Sequence, residues 1–142
     1  MKIALHSLLA LLLFSLAPGA TAHSPSEQAR IFFVNLQDGA VVKSPFRVQF
    51  GIQGFGIVPA GTKDQRRHHG GHFHLLIDVP RLPDLEEPIP RDAHHLHFDG
   101  GERETILNLS PGVHTLQLLL GDEAHEPFEP LLVSEKIQIT VR

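Results

Sequence analysis

The sequence predicts an all-β fold, an antiparallel immunoglobulin-like sandwich of about seven strands. Three observations predict it. Apolar residues recur with period two in three separate segments, turn-forming Gly and Pro pairs fall between apolar runs, and no stretch carries a 3.6-residue period. A jelly roll, as in the cupins, is the competing arrangement.

Taken in order, residues 30–36 form a short apolar run that closes at the Asp38-Gly39 turn. Residues 45–52 alternate cleanly, with Phe46, Val48, Phe50 and Ile52 on one face and Arg47, Gln49 and Gly51 on the other. Residues 72–79 are a nearly continuous apolar run carrying two histidines, and 94–98 and 104–109 are shorter runs of strand type. After the Pro111-Gly112 turn, 114–120 set Leu116, Leu118 and Leu120 against Thr115, Gln117 and Leu119. The last strand, 136–141, sets Ile137, Ile139 and Val141 against Lys136, Gln138 and Thr140. Two long connections break this spacing. Residues 54–71 are glycine-rich and end in Arg66-Arg67-His68-His69-Gly70-Gly71, and 79–93 hold Pro80, Pro83, Pro88 and Pro90 among acidic residues. Loops of that length in a small domain tend to be functional or disordered.

The N-terminus predicts export. Lys2, the apolar run 8–16 and the small-residue signal Ala20-Thr21-Ala22 have the three-part layout of a secretory signal peptide spanning 1–22. The apolar run is too short to span a bilayer. Residues 23–142 then form one β-sandwich domain, periplasmic or secreted after cleavage near Ala22-His23. With 11 basic and 16 acidic residues that domain carries a net charge of −5. A charge of that sign argues against nucleic acid as a partner. It contains no Cys, Met, Tyr or Trp. No disulfide can form, and sugar binding by Trp or Tyr stacking has no residues to use. Ser110 precedes a Pro-Gly turn without the nucleophile-elbow motif, so serine hydrolase chemistry has no support.

What the sequence does offer is histidine, 11 residues in 142, nine of them between His68 and His125. His72-Phe73-His74 and His95-Leu96-His97 are both His-x-His pairs, and side chains two apart on a strand share a face. If the two strands are neighbours, four imidazoles can converge, since cross-strand β-carbons lie about 5 Å apart. Asp78 falls on the His72 face by the same alternation, and Phe73 on the opposite, core-facing side. His114 and His125 are placed to complete or support the group. The predicted metal ligands are therefore His72, His74, His95, His97, His114 and His125. Copper(I) favours thiolate or thioether ligands, which the domain lacks, leaving zinc, copper(II) or nickel. A cleaved N-terminal His23 adds a second way to chelate copper(II), through its amine and ring. Imidazole ligation needs the neutral ring, so affinity is expected to collapse between about pH 7 and pH 5.

Several segments together resemble an uncharacterised family of exported bacterial domains of unknown function. They are Ile31-Phe32-Phe33-Val34 with Asp38-Gly39-Ala40, 54–61 (GFGIVPAG), 72–78 (HFHLLID), Ile89-Pro90, 95–101 (HLHFDGG) and 111–122 (PGVHTLQLLLGD). His125 and Ser134-Glu135-Lys136-Ile137 complete the set. The family's motifs are of the types HHHLLID, HLHFGGG and PGxHTLQLxLGD, and the resemblance covers nearly all of 23–142. It implies an exported, immunoglobulin-like domain and singles out the same six histidines, without naming an activity. This chain carries Phe73 and Phe128 where the family pattern has histidine.

Three function classes follow. The first is an exported domain binding a divalent metal ion through its His-x-His pairs. The second is a non-catalytic envelope or partner-binding module whose histidines are structural. The third is a cupin-like metalloenzyme. For that one, the spacing is wrong at both motif echoes, with no glycine six before His72 and one residue too few before His114. The balance is against an enzyme.

Overall fold

The computed structural model describes residue 25 and residues 27–63 and 69–142. The signal segment 1–22, His23 and His68 lie outside the described residues. Among those described there is no helix, hence none long and apolar enough to cross a membrane. Nine strands form among the described residues: β1 (Arg30–Phe33), β2 (Val41–Val42), β3 (Phe46–Gln53), β4 (Gly56–Ile57), β5 (Gly70–Ile77), β6 (His95–His97), β7 (Glu104–Leu107), β8 (Gly112–Gly121) and β9 (Ile137–Val141). Each of the seven predicted strands has its counterpart. The two additions, β2 and β4, are two residues long, and they pair parallel with β9 and β5 where a wholly antiparallel arrangement was expected.

The strands make two sheets, β1-β3-β7 and β2-β9-β8-β5-β4, with β6 joined to the same edge of β5 as β4. The sheets pack as a β-sandwich. Phe46, Val48 and Phe50 of β3 meet Phe73, Leu75 and Ile77 of β5, Leu116, Leu118 and Leu120 of β8, and Ile137, Ile139 and Val141 of β9. Phe50 lies at the centre of this layer, its ring 5.2 Å from Phe73 and 4.8 Å from Phe98. Period-two alternation thus does what it predicts, one apolar face per strand against one core.

β5 departs from that rule, and the departure creates the site. All eight of its residues are buried. Its inner face belongs to the sandwich core, and its outer face is roofed by the long loop 79–93 and the segment after β8. A second apolar cluster, Leu76, Val79, Ile89 and Leu119, seals the roof. The roof is tied down by hydrogen bonds from Ile89 N to the His125 carbonyl and from Lys136 Nζ to the Val79 and Pro80 carbonyls. Anything on the outer face of β5 is therefore out of water.

Candidate metal centre

His72 and His74 stand on that roofed face with no exposed surface, while Phe73 between them is fully buried in the sandwich core. A histidine in place of Phe73 would accordingly face the interior, away from the other two. β6 pairs antiparallel with β5 so that His97 lies directly opposite His74, and the two rings meet edge-on at 4.2 Å. The fourth imidazole comes from a turn. Past the end of β8, Asp122 Oδ1 accepts from the backbone N–H groups of Ala124 and Glu126, and His125 N donates to the Asp122 carbonyl. This folds the chain back and holds His125 at φ 68°. That left-handed conformation is uncommon for a residue with a side chain and concentrates where geometry serves a site. His125 thereby lies over His72 and His97, with ring centroids 4.8 and 4.9 Å away.

Glycine at 121 makes room for this arrangement. It lies opposite His72 in the β5–β8 register, and a Cβ there would fall 2.6 Å from His74 Cε1. The His74 ring occupies the space that any other residue's side chain would need.

The four rings can each offer one nitrogen, and these nitrogens all lie within 4.8 Å of one another. Around a tetrahedral ion with metal–nitrogen bonds of 2.0–2.1 Å, ligand nitrogens are about 3.3 Å apart, so ring rotations of about an ångström close the set. Tautomers are partly fixed already. His97 Nε2 donates to the Pro90 carbonyl at 2.7 Å, which leaves the Nδ1 lone pair aimed at the cluster. His72 Nε2 and His125 Nδ1 are 2.9 Å apart and share a proton, and His97 Nδ1 is 3.3 Å from the same His125 nitrogen. Both nitrogens of His74, together with His72 Nδ1, are buried without a hydrogen-bond partner. Burial and close packing hold three of these imidazoles toward the neutral form. Burial, then the neighbouring His125, pushes His72 down to about 4. Burial and its three neighbours push His74 down to about 2. His97 is also lowered, by burial first.

Two of the six histidines singled out by sequence lie outside this group. His95 Nδ1 donates to Asp92 Oδ1 at 2.8 Å. His114 donates from both nitrogens, Nδ1 to Asp78 Oδ2 at 2.7 Å and Nε2 to the Ser110 carbonyl at 2.9 Å. The Asp78 and Ser110 bonds raise its pKa. His94 likewise donates to the Ile77 carbonyl. Asp78 itself adopts φ 58°, turning the chain out of β5. Its carboxylate therefore caps Thr115 N and holds His114, where strand alternation had placed it beside His72 and His74.

One group at the site was not singled out from sequence. Asp99 Oδ1 is buried without a hydrogen-bond partner. It lies 3.9 Å from His72 Nε2, 3.8 Å from His97 Nδ1 and 3.9 Å from His125 Nδ1. The signal was present, since Asp99 continues the alternation of His95 and His97. Desolvation opposes its ionisation, but Arg91, bonded to Oδ2 at 2.6 Å, and the adjacent imidazoles hold its pKa below the usual carboxylate value.

A family model described as a domain of unknown function, DUF4399, matches residues 48–142. The chain belongs to that family. The matched stretch of this DUF4399 chain contains all four clustered histidines and Asp99. Neither a curated protein nor a solved structure matches the chain.

Proposed function

We propose that this DUF4399 domain is an exported metal-binding module that holds one divalent ion, zinc, copper(II) or nickel, at His72, His74, His97 and His125. The observation that carries the reading is the convergence of four imidazole nitrogens within 4.8 Å of one another, around a His74 ring that is fully buried with neither nitrogen hydrogen-bonded. A structural histidine network would spend those nitrogens on carbonyls and carboxylates, as His94, His95 and His114 do. Leaving a buried polar atom unpaired costs about 1–3 kcal/mol, a penalty that a bound ion removes at the ligating nitrogen of His74. All-nitrogen donors without thiolate or thioether favour the borderline ions over copper(I). Export after cleavage near Ala22-His23 rests on the three-part signal segment and would place the module where metal ions are exchanged across the envelope.

Isothermal titration of the metal-free protein with Zn(II), Cu(II) and Ni(II) tests this. One ion should bind per chain with a dissociation constant tighter than about micromolar, a free energy of roughly −8 kcal/mol. His72→Ala and His74→Ala should abolish it, and His95→Ala and His114→Ala should leave it intact. Absence of stoichiometric binding to the unmodified protein would sink the proposal.

A further inference from the structure

We propose that Asp99 is a fifth, anionic ligand of the same ion, making the centre a four-nitrogen, one-oxygen site. This rests on the four-histidine reading above and adds to it the identity of the donor set.

The argument begins with the carboxylate's two oxygens, which have different fates. Oδ2 is committed to Arg91 at 2.6 Å. Oδ1 faces inward, buried and unpartnered, nearly equidistant from the nitrogens of His72, His97 and His125. A buried carboxylate oxygen would ordinarily collect N–H donors, and here three imidazole nitrogens stand at 3.8–3.9 Å, beyond hydrogen-bond distance. The three distances place Oδ1 beside three of the four rings, so an ion held by His72, His97 and His125 can draw the carboxylate in from their side of the cluster. The backbone holds the group in place from both sides. Ala60 N donates to the Asp99 carbonyl, and β6 fixes His97 two residues earlier. With Oδ2 occupied by Arg91, ligation is through one oxygen only. The carboxylate also partly neutralises a dication that four neutral imidazoles would leave fully charged in a buried site. A donor set of this kind suits ions that accept five ligands, including a hard oxygen, and disfavours copper(I) further.

Cobalt(II) serves as the probe, because its visible d–d bands are intense in four-coordinate tetrahedral sites and weaker in five-coordinate ones. The Co(II)-loaded wild-type protein should show the weaker five-coordinate spectrum. Asp99→Ala should convert it to the intense tetrahedral one and weaken Co(II) and Zn(II) binding at least tenfold. Far-UV circular dichroism monitors the fold, and the isosteric Asp99→Asn, which preserves the turn, should weaken binding in the same direction. A tetrahedral spectrum in the wild type would overturn the assignment, as would Asp99→Ala with unchanged spectrum and affinity. If the wild type binds neither Co(II) nor Zn(II), the four-histidine reading itself falls. Binding that ignores Asp99 removes only the fifth ligand.

Discussion

His72 and His74 are imidazoles that the fold keeps from taking a proton, and the consequence is measurable without any metal. In the unfolded chain each ring titrates near 6.5, whereas in the folded protein His72 is pushed down to about 4 and His74 to about 2. Between those values the unfolded state binds more protons, so the stability of the metal-free fold falls as the pH drops below about 6.5. The loss from His72 levels off near pH 4, and that from His74 continues toward pH 2. At pH 5 each contributes on the order of 2 kcal/mol of destabilisation, at 1.36 kcal/mol per pKa unit. His114 acts in the opposite direction. Its raised pKa supplies stability below 6.5 that is lost as pH rises through the folded value, so it partly offsets the pair. Urea unfolding of the metal-free protein should therefore give a lower free energy at pH 5 than at pH 7, and His74→Leu should flatten that slope. Equal stability at the two pH values in the wild type would contradict neutral burial of the pair. At His72 and His74 the same shifts move proton competition for metal below the pH 7 to 5 window expected of ordinary histidines.

The centre is assembled from β5, β6 and the turn after β8, and these elements were legible in the sequence to different degrees. Period-two alternation located the seven principal strands and turned Phe73 inward, because a residue on a strand has only two faces to choose from. β2 and β4 were not legible, since two residues carry no period. At the site, alternation paired His72 with His74 and pointed to His97 as a neighbour. It could not separate His97 from His95, because that depends on the β5–β6 register and on the loop that presents Asp92 to His95. Asp99 was legible as the next step in the His95 and His97 alternation, whereas the left-handed turn at His125 depends on a chain path beyond the strands that no local pattern encodes. Gly121 shows how element-level packing supports the ligands. Gly121→Ala would put a methyl group 2.6 Å from the His74 ring. Shifting that ring by even a fraction of an ångström spoils convergence of the four nitrogens. We expect Gly121→Ala to fold, with Zn(II) affinity at least tenfold weaker, about 1.4 kcal/mol. Calorimetric titration beside a circular dichroism melt separates the two effects, and unchanged affinity would show that the ring has room to move.

For the molecule as a whole, a bound ion would do the work that disulfides cannot do in a cysteine-free chain. The four histidines come from the centre of one sheet, from its edge strand β6, and from the turn that follows β8. The loop 79–93 is bound in through the Pro90 carbonyl on His97 and through Ile89 N on the His125 carbonyl. An ion here would join segments up to 53 residues apart in sequence, and it can bind tightly only to the folded chain, because only folding brings them together. Linkage then sets the size of the effect. At an ion concentration one hundred times the dissociation constant, the folded state gains about 2.7 kcal/mol. For a domain of this size that corresponds to a rise in Tm of roughly 10 °C. Differential scanning calorimetry should show that rise with Zn(II), reverse it with excess EDTA, and find none in His74→Ala. Hydrogen exchange should place the added protection in β6, the 79–93 loop and the 122–126 turn. The loop and the turn cover the outer face of β5 and β6 pairs along its edge, whereas the β1-β3-β7 sheet packs against the other side. A Tm that zinc leaves unmoved, or protection spread evenly over both sheets, would mean that the imidazole cluster does not couple metal binding to the fold.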